Sequence, residues 1–263
     1  VQMKLFPWLG FLLSLHTAIA ADLVDRTFRP QARPILGGPD GAVLAMARGP
    51  GDTLVIAGDF LRVSGRLRPS LARLQINGSL DPSFQPGSGA TGLIRSILAE
   101  ADGALLVAGE FSHWNGTPLS EPLIRLQADG SVDGGFAPVA SGIQRVDQLV
   151  RLPGGAFLAW GQETNTGTVR TVVQRRLPSG AIDSTFQPNL PETVVIHAMA
   201  AGDDGAVWIA GRFTEFLGVT RTNLVRLTPA LEVDLAWESP AASVTIELRA
   251  VAVGEDGRIA IGG

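Results

Sequence analysis

Apolar positions along this chain come in short runs and never in long periodic stretches. Between residues 94 and 136 they read IRSILAEA, ALLVAGEF, PLIRLQA and SVDGGF, separated by polar, Gly-containing segments. Runs such as LLVAG (105–109) and VWIAG (207–211) are apolar at every position. A strand reads that way when both of its faces are covered, as in sheets stacked face to face. Asp-Gly or Asn-Gly stands between many of these runs: Asn77-Gly78, Asp102-Gly103, Asp129-Gly130, Asp204-Gly205 and Asp256-Gly257. Such pairs predict two-residue type I′ hairpin turns, whose two central residues both need positive φ. No segment sustains a helical period, so the pattern predicts an all-β chain.

The pattern also recurs. Asp-x-x-Phe occurs at Asp25/Phe28, Asp81/Phe84, Asp133/Phe136 and Asp183/Phe186, then as Asp234/Trp237, with aromatic spacings of 56, 52, 50 and 51. A glycine in an apolar run recurs at Gly58, Gly109, Gly161, Gly211 and Gly262. Arg-Leu recurs at 73–74, 125–126, 176–177 and 226–227. Three landmarks in step at about 51 residues, each unit reading as four short strands, are the signature of a β-propeller blade. The expected fold is a β-propeller or open propeller arc of about five four-stranded blades, the last incomplete. The repeats fall at about 35–86, 87–138, 139–188, 189–239 and 240–263, where the fifth breaks off at RIAIGG in mid-unit. VDRTFRP (24–30) matches LDPSFQP (80–86), so 22–30 is expected to be a blade-closing strand that latches a ring and hides its edges.

GDF-loop-LARL-NGSLDPSF (58–84) resembles the delta-60 repeat, found in tandem in large exported bacterial proteins. The resemblance covers nearly all of 22–263. It is weakest in the third unit, where Gly161-Gln162-Glu163 lacks the aromatic and Pro178-Ser179-Gly180 replaces the usual turn. It implies a propeller and a secreted or surface location, and it implies no activity.

The N-terminus supports that address. Met3-Lys4, the apolar LFPWLGFLLSL and Ala18-Ile19-Ala20 have the layout of a signal peptide over 1–20, too short for a confident membrane span. The 263 residues include no cysteine, so neither disulfides nor a lipid-modified cysteine are available. A net charge of −4 gives no footprint for nucleic acid.

Candidate chemistry is thin. The recurrent Asp (81, 133, 183, 234) is placed to accept backbone N–H groups two residues on, and one acid per turn falls short of a calcium site. The recurrent glycine marks a bulge or close backbone approach. The recurrent Arg is expected to lay its stem over a neighbouring blade and bond a carbonyl or an acid. His113 and His197 occupy different repeat positions, so no zinc cluster is expected, and no Gly-x-Ser-x-Gly elbow is present. Trp160 and Trp208 fall in apolar runs and read as core. Trp114 lies in the loop His113-Trp114-Asn115-Gly116, where it either packs over the blade edge or stacks on a glycan or protein partner. His113, Trp114 and Asn115 are therefore the tentative surface-binding loop. No cofactor and no metal are expected.

These features point to a non-catalytic extracellular scaffold or binding module of a larger exported protein. Loops 61–70, 112–121, 162–171 and 214–222 would carry specificity for an unidentified protein or glycan. One alternative is a hydrolase or dehydrogenase with a central-channel site, which requires non-repeated acids, His or Arg on the innermost strands. Glu100, Asp147 and Asp203 are the nearest such residues, read as lying at strand ends. A self-associating surface-layer or adhesion protein is the other alternative.

Overall fold

The computed structural model describes residues 38–165, 167–239 and 246–263. The expected signal peptide and the expected blade-closing strand 22–30 lie outside the described residues. Regular structure is β throughout, apart from two one-turn 3-10 segments at Pro50–Asp52 and Pro153–Gly155. The chain divides into two compact units, with described residues from Gly38 to Gln187 and from Pro188 to Gly263.

The first unit holds three antiparallel sheets. Sheet 1 starts with β1 (Ala42–Arg48) and β2 (Leu54–Asp59), is interrupted by a small hairpin of β3 (Arg62–Val63) and β4 (Arg66–Leu67), and ends with β5 (Leu71–Leu74). Sheet 2 repeats this plan as β6 (Leu93–Ala99), β7 (Leu105–Glu110), the hairpin β8 (His113–Trp114) and β9 (Thr117–Pro118), and β10 (Leu123–Leu126). Sheet 3 has β11 (Ile143–Arg151), β12 (Phe157–Asn165) and β13 (Thr168–Arg176), with no separate hairpin. In the second unit, sheet 4 follows the plan again: β14 (Val195–Ala201), β15 (Val207–Arg212), the hairpin β16 (Glu215–Phe216) and β17 (Val219–Thr220), and β18 (Leu224–Leu227). Sheet 5 has β19 (Ala250–Val253) and β20 (Ile259–Gly262).

The fold is therefore all-β and built of propeller blades, each sheet the product of one repeat. The fourth strand is shorter than the pattern suggests. It survives as one bridge per repeat, at Leu74–Leu80, Leu126–Val132, Arg176–Ile182 and Leu227–Val233. The following Asp ends it by drawing a backbone N–H to its own carboxylate and turning the chain away from the ladder.

Burial explains why the central runs are apolar at every position. Leu105 and Val107 pack with Val55, Ala57 and Leu71 of sheet 1, whereas Leu106 and Ala108 pack with Leu149 and Phe157 of sheet 3. Successive residues of one strand thus serve two different cores. Each fully buried Leu or Val contributes roughly 1.5–3 kcal/mol.

Two expectations about turns are corrected. The Asp-Gly and Asn-Gly turns between long strands are three-residue loops. Gly103 donates to Glu100 O at 3.0 Å while Glu100 donates to Ala104 O at 2.8 Å, and only the glycine (φ 86°) has positive φ. That is a type I turn closed by a left-handed glycine, with Asp102 accepting the Ala104 N–H at 3.0 Å. True type I′ turns occur instead in the small hairpins, at Ser64-Gly65 (φ 51° and 74°), Asn115-Gly116 (50° and 77°) and Leu217-Gly218 (50° and 78°). The segments read as variable loops thus share a regular element in three repeats, while 162–171 belongs to the long β12–β13 hairpin.

Candidate functional site

The hairpins answer what the phenylalanine two residues after the landmark glycine is for in repeats 1, 2 and 4. Phe60, Phe111 and Phe213 are buried, and each hairpin adds a second buried apolar side chain three residues later: Val63, Trp114 or Phe216. Phe111 and Trp114 meet edge to face with ring centres 6.0 Å apart, and Phe213 and Phe216 lie 5.5 Å apart. Trp114 is only 1% exposed. The reading of Trp114 as an exposed stacking ring is therefore corrected in favour of packing, because the type I′ turn directs it inward onto Phe111. Asn115 is exposed, but its Oδ1 accepts the Gly89 N–H at 2.9 Å and its left-handed φ suits the turn. His113 is half-buried, with Nδ1 2.9 Å from Ser112 Oγ. The structure brings the three residues together in one hairpin, and each serves that hairpin's own geometry.

The repeated polar residues are likewise consumed by the scaffold. Arg73 donates to Asp81 at 2.7 Å, to Ser83 at 3.1 Å and across to the Ala128 carbonyl at 2.6 Å. Arg125 binds Glu100 and Asp133, and Arg226 binds Asp234. In the third repeat the partner of Asp183 is Arg175, at 3.2 Å. Here the Arg-Leu alignment is corrected by one residue. Arg175 pairs with Leu158 as Arg125 pairs with Leu106, so Arg176 stands where Leu126 stands in sheet 2. Arg176 is accordingly buried, and it pairs at 2.6 Å with an equally buried Glu121. Burial raises the pKa of Asp81, but donation from Ser83 and Arg73 holds it below the usual carboxylate value. Asp133, Asp183 and Asp234 are also held low by the hydrogen bonds they accept.

One register position of the first strand carries a different side chain in each sheet. The first strand bulges opposite the landmark glycine, between Val43 and Ala45, Ile94 and Ser96, Val146 and Gln148, and Ile196 and Ala198. A Cβ on Gly58, Gly109, Gly161 or Gly211 would come within 1.8–2.1 Å of a carbonyl oxygen of that strand. Only glycine admits so close an approach, and the extra residue is squeezed out of the ladder. In sheet 5 the same approach is made by Gly263, where a Cβ would lie 2.1 Å from Glu247 O, and a Cβ on Gly262 would meet nothing. The landmark there is Gly263, which corrects the alignment on Gly262.

The bulge residues are Leu44, Arg95, Asp147 and His197, each 14 positions before its landmark glycine, and Arg249 stands at the same offset from Gly263. That constant offset is present in the sequence and becomes visible once Gly263 replaces Gly262 as the fifth landmark. The first strands also lie against one another, β1 against β6, β6 against β11, and in the second unit β14 against β19.

In the first unit the result is a cluster of four charges. Arg95 reaches Glu110 at 3.0 Å and lies 4.0 Å from Asp147, whose carboxylate is also 2.9 Å from Arg145. Arg95 Nε is buried without a hydrogen-bond partner. Burial pushes the Asp147 carboxyl up, against the pull of Arg145. Asp147 sits within β11, so its expected place at a strand end is corrected. In the second unit His197 Nε2 bonds the Glu247 carboxylate, which is held below its usual pKa chiefly by that bond, with Arg249 3.8 Å away. Glu100 is taken up by Arg125, and Asp203 is exposed in the turn after β14. Arg95, Arg145, His197, Glu247 and Arg249 were missed as a set, because bulge register cannot be seen without strand pairing. Among the described residues no group of three His, Asp or Glu side chains is placed to hold a metal.

No curated protein matches this chain. Among solved structures, a gluconolactonase of Xanthomonas campestris is 14% identical, covering 83% of this chain and 68% of its own, with a TM-score of 0.47. The extracellular domain of a hybrid two-component system from B. thetaiotaomicron is 10% identical over 84% of this chain, with a TM-score of 0.48, and this chain spans 29% of its length. A catalytically inactive virginiamycin B lyase of Staphylococcus aureus, solved with quinupristin, is 14% identical over 84% and 78% of the two chains, with a TM-score of 0.39. A family model described as a domain of unknown function (DUF5122), β-propeller, matches residues 52–84, 100–136 and 203–236. Those are the second, third and closing segments of repeats 1, 2 and 4, and the chain is a β-propeller repeat protein.

Proposed function

We propose that this chain is a non-catalytic binding module of an exported protein, with a scaffold of repeated blades and, within the first unit, a recognition surface formed by the first-strand bulges at Arg95 and Asp147. One observation carries the reading. The recurrent Arg and Asp side chains are used inside the blades, while the bulge position of the first strand varies through Leu44, Arg95, Asp147 and His197. A repeated scaffold with one variable position per repeat is how repeat proteins separate stability from recognition. The mixed signs favour a polar ligand, such as a glycan or a charged peptide segment. Export is supported by the leader-like residues 1–20 and the delta-60 resemblance. No helix among the described residues is long and apolar enough to cross a membrane. The test is a glycan and peptide array probed with the purified chain beside Arg95→Gln and Asp147→Asn. Ligands are expected to be weakened about tenfold or more by either variant. Ligands bound equally by the parent and both variants would remove the bulges from recognition.

A second reading, enzymatic, is favoured by the His197–Glu247 pair alone. A carboxylate holding one imidazole nitrogen leaves the other free to take a proton, the arrangement of a general base. Hydrolase and dehydrogenase substrate panels assayed beside His197→Gln decide it, since turnover that survives the substitution would sink this reading.

A further inference from the structure

The four charges of the first unit stand in a row across sheets 2 and 3, in the order Glu110, Arg95, Asp147, Arg145. Successive nitrogen–oxygen separations are 3.0, 4.0 and 2.9 Å, so acceptors and donors alternate along it. Arg95 and Asp147 come from the bulges of β6 and β11, Glu110 ends β7, and Arg145 precedes Asp147 by two residues. Two guanidiniums and two carboxylates leave the row without net charge.

The outer contacts are made and the middle one is not. Arg95 donates to Glu110 through Nη2 and Arg145 donates to Asp147 through Nε. Arg95 Nε stops 4.0 Å from Asp147 Oδ1, beyond hydrogen-bond reach, and it is buried without a partner. The group that suits this gap must accept from a guanidinium and donate to a carboxylate at once, and a hydroxyl does both with one oxygen. A ligand carboxylate or phosphate would face Asp147 and Glu110, and an ammonium would face Arg95 and Arg145. Either charge meets repulsion from half the row. Leu44, half-buried at the bulge of β1 where β1 lies against β6, adds an apolar position at the same register. Hydroxyls carried on an apolar C–H framework are the chemistry of a sugar ring.

We infer that the row at Arg95 and Asp147 takes a neutral saccharide, one hydroxyl of which bridges Arg95 Nε and Asp147 Oδ1. The inference rests on the reading of these bulges as a recognition surface and narrows its ligand to an uncharged, polyhydroxylated one. The remaining Arg145 donors and the exposed Glu110 carboxylate serve neighbouring hydroxyls of the same ring.

Calorimetric titration of the full chain with cellotriose, maltotriose, mannotriose and xylotriose, beside trigalacturonate and pentalysine, tests it. A neutral trisaccharide is expected to bind saturably, with affinity reduced about tenfold or more in Arg95→Gln and in Asp147→Asn. Asp147→Asn removes a charge that burial disfavours, so it keeps the test open should Arg95→Gln unfold. Raising salt from about 0.05 to about 0.5 M is expected to change that affinity less than about twofold, since a neutral ligand brings no charge to screen. Binding of trigalacturonate or pentalysine that both variants weaken would overturn the inference and leave the recognition surface standing. Neutral-sugar binding that neither variant weakens would remove the inference and the recognition surface together. No saturable binding by any of the four neutral sugars would overturn the inference alone.

Discussion

Gly109 has no room for a methyl group, since its Cβ would lie 2.0 Å from Leu93 O, whereas Gly262 has open space. Gly109→Ala is therefore expected to cost more than about 3 kcal/mol in urea unfolding, and Gly262→Ala to stay within roughly 0.5 kcal/mol of the parent. An equal cost at both positions would refute the assignment of Gly263 as the fifth landmark. The corner carboxylates set the acid response. Asp81, Asp133, Asp183 and Asp234 are held below 3.8 in the folded chain, so their contribution is present above that value and is lost as pH falls through the lower folded pKa. Tm is expected to be flat from neutral pH down to about 4 and to fall below it, less steeply in Asp133→Asn. Asp147 has the opposite sign. Its raised pKa means that folding favours its protonated form, and stability is lost as pH rises through that shifted value. Asp147→Asn is expected to raise Tm at pH 7 by about 1–3 °C, a gain that shrinks in acid as the parent carboxyl protonates. The recognition reading of Asp147 predicts this cost, since functional sites commonly hold groups at the expense of stability.

The small hairpin is the element written in repeats 1, 2 and 4 and replaced in repeat 3 by the long β12–β13 hairpin. Its turn needs two left-handed residues, which Asn115-Gly116 supplies at least strain and Leu217-Gly218 at most, since a branched side chain at φ 50° crowds its own backbone. Leu217→Asn is expected to stabilise the chain by about 0.5 kcal/mol, read as a higher urea midpoint with an unchanged slope. A loss would show that the packing of the half-buried Leu217 outweighs the backbone strain. Hairpin turns were legible in the sequence as Asn-Gly and Asp-Gly, but the turn type was not. Whether such a pair closes a two-residue or a three-residue loop depends on strand register, which is set by neighbours far along the chain.

At the scale of the molecule, the junctions between repeats carry both order and exception. Arg176 occupies the place of an apolar residue and buries its charge against Glu121, one repeat earlier. Arg176→Leu, the residue found at that position in sheets 2 and 4, leaves Glu121 buried and alone and is expected to cost about 3–5 kcal/mol. Adding Glu121→Leu is expected to recover most of that loss, and a double variant as unstable as the single would show that the pair is not the cause. The pair occurs at one junction, so it marks repeat 2 as the neighbour of repeat 3. A uniform apolar interface would not make that distinction.

Periodicity alone was enough for the repeat length, the first three strands of each unit, the two-faced cores, the corner role of Asp81 and the close backbone approach at Gly58. Each of these depends on residues near in sequence or on a side chain's own size and charge, so a repeated pattern reports it directly. The burial of Trp114, the displaced register of Arg175 and Arg176, and the gathering of Arg95, Arg145 and Asp147 came from folding. Each follows from which residue faces which across a ladder, and one bulge is enough to send a side chain to the other face. Local chemistry therefore dictated the blades, and long-range pairing chose which side chains they present.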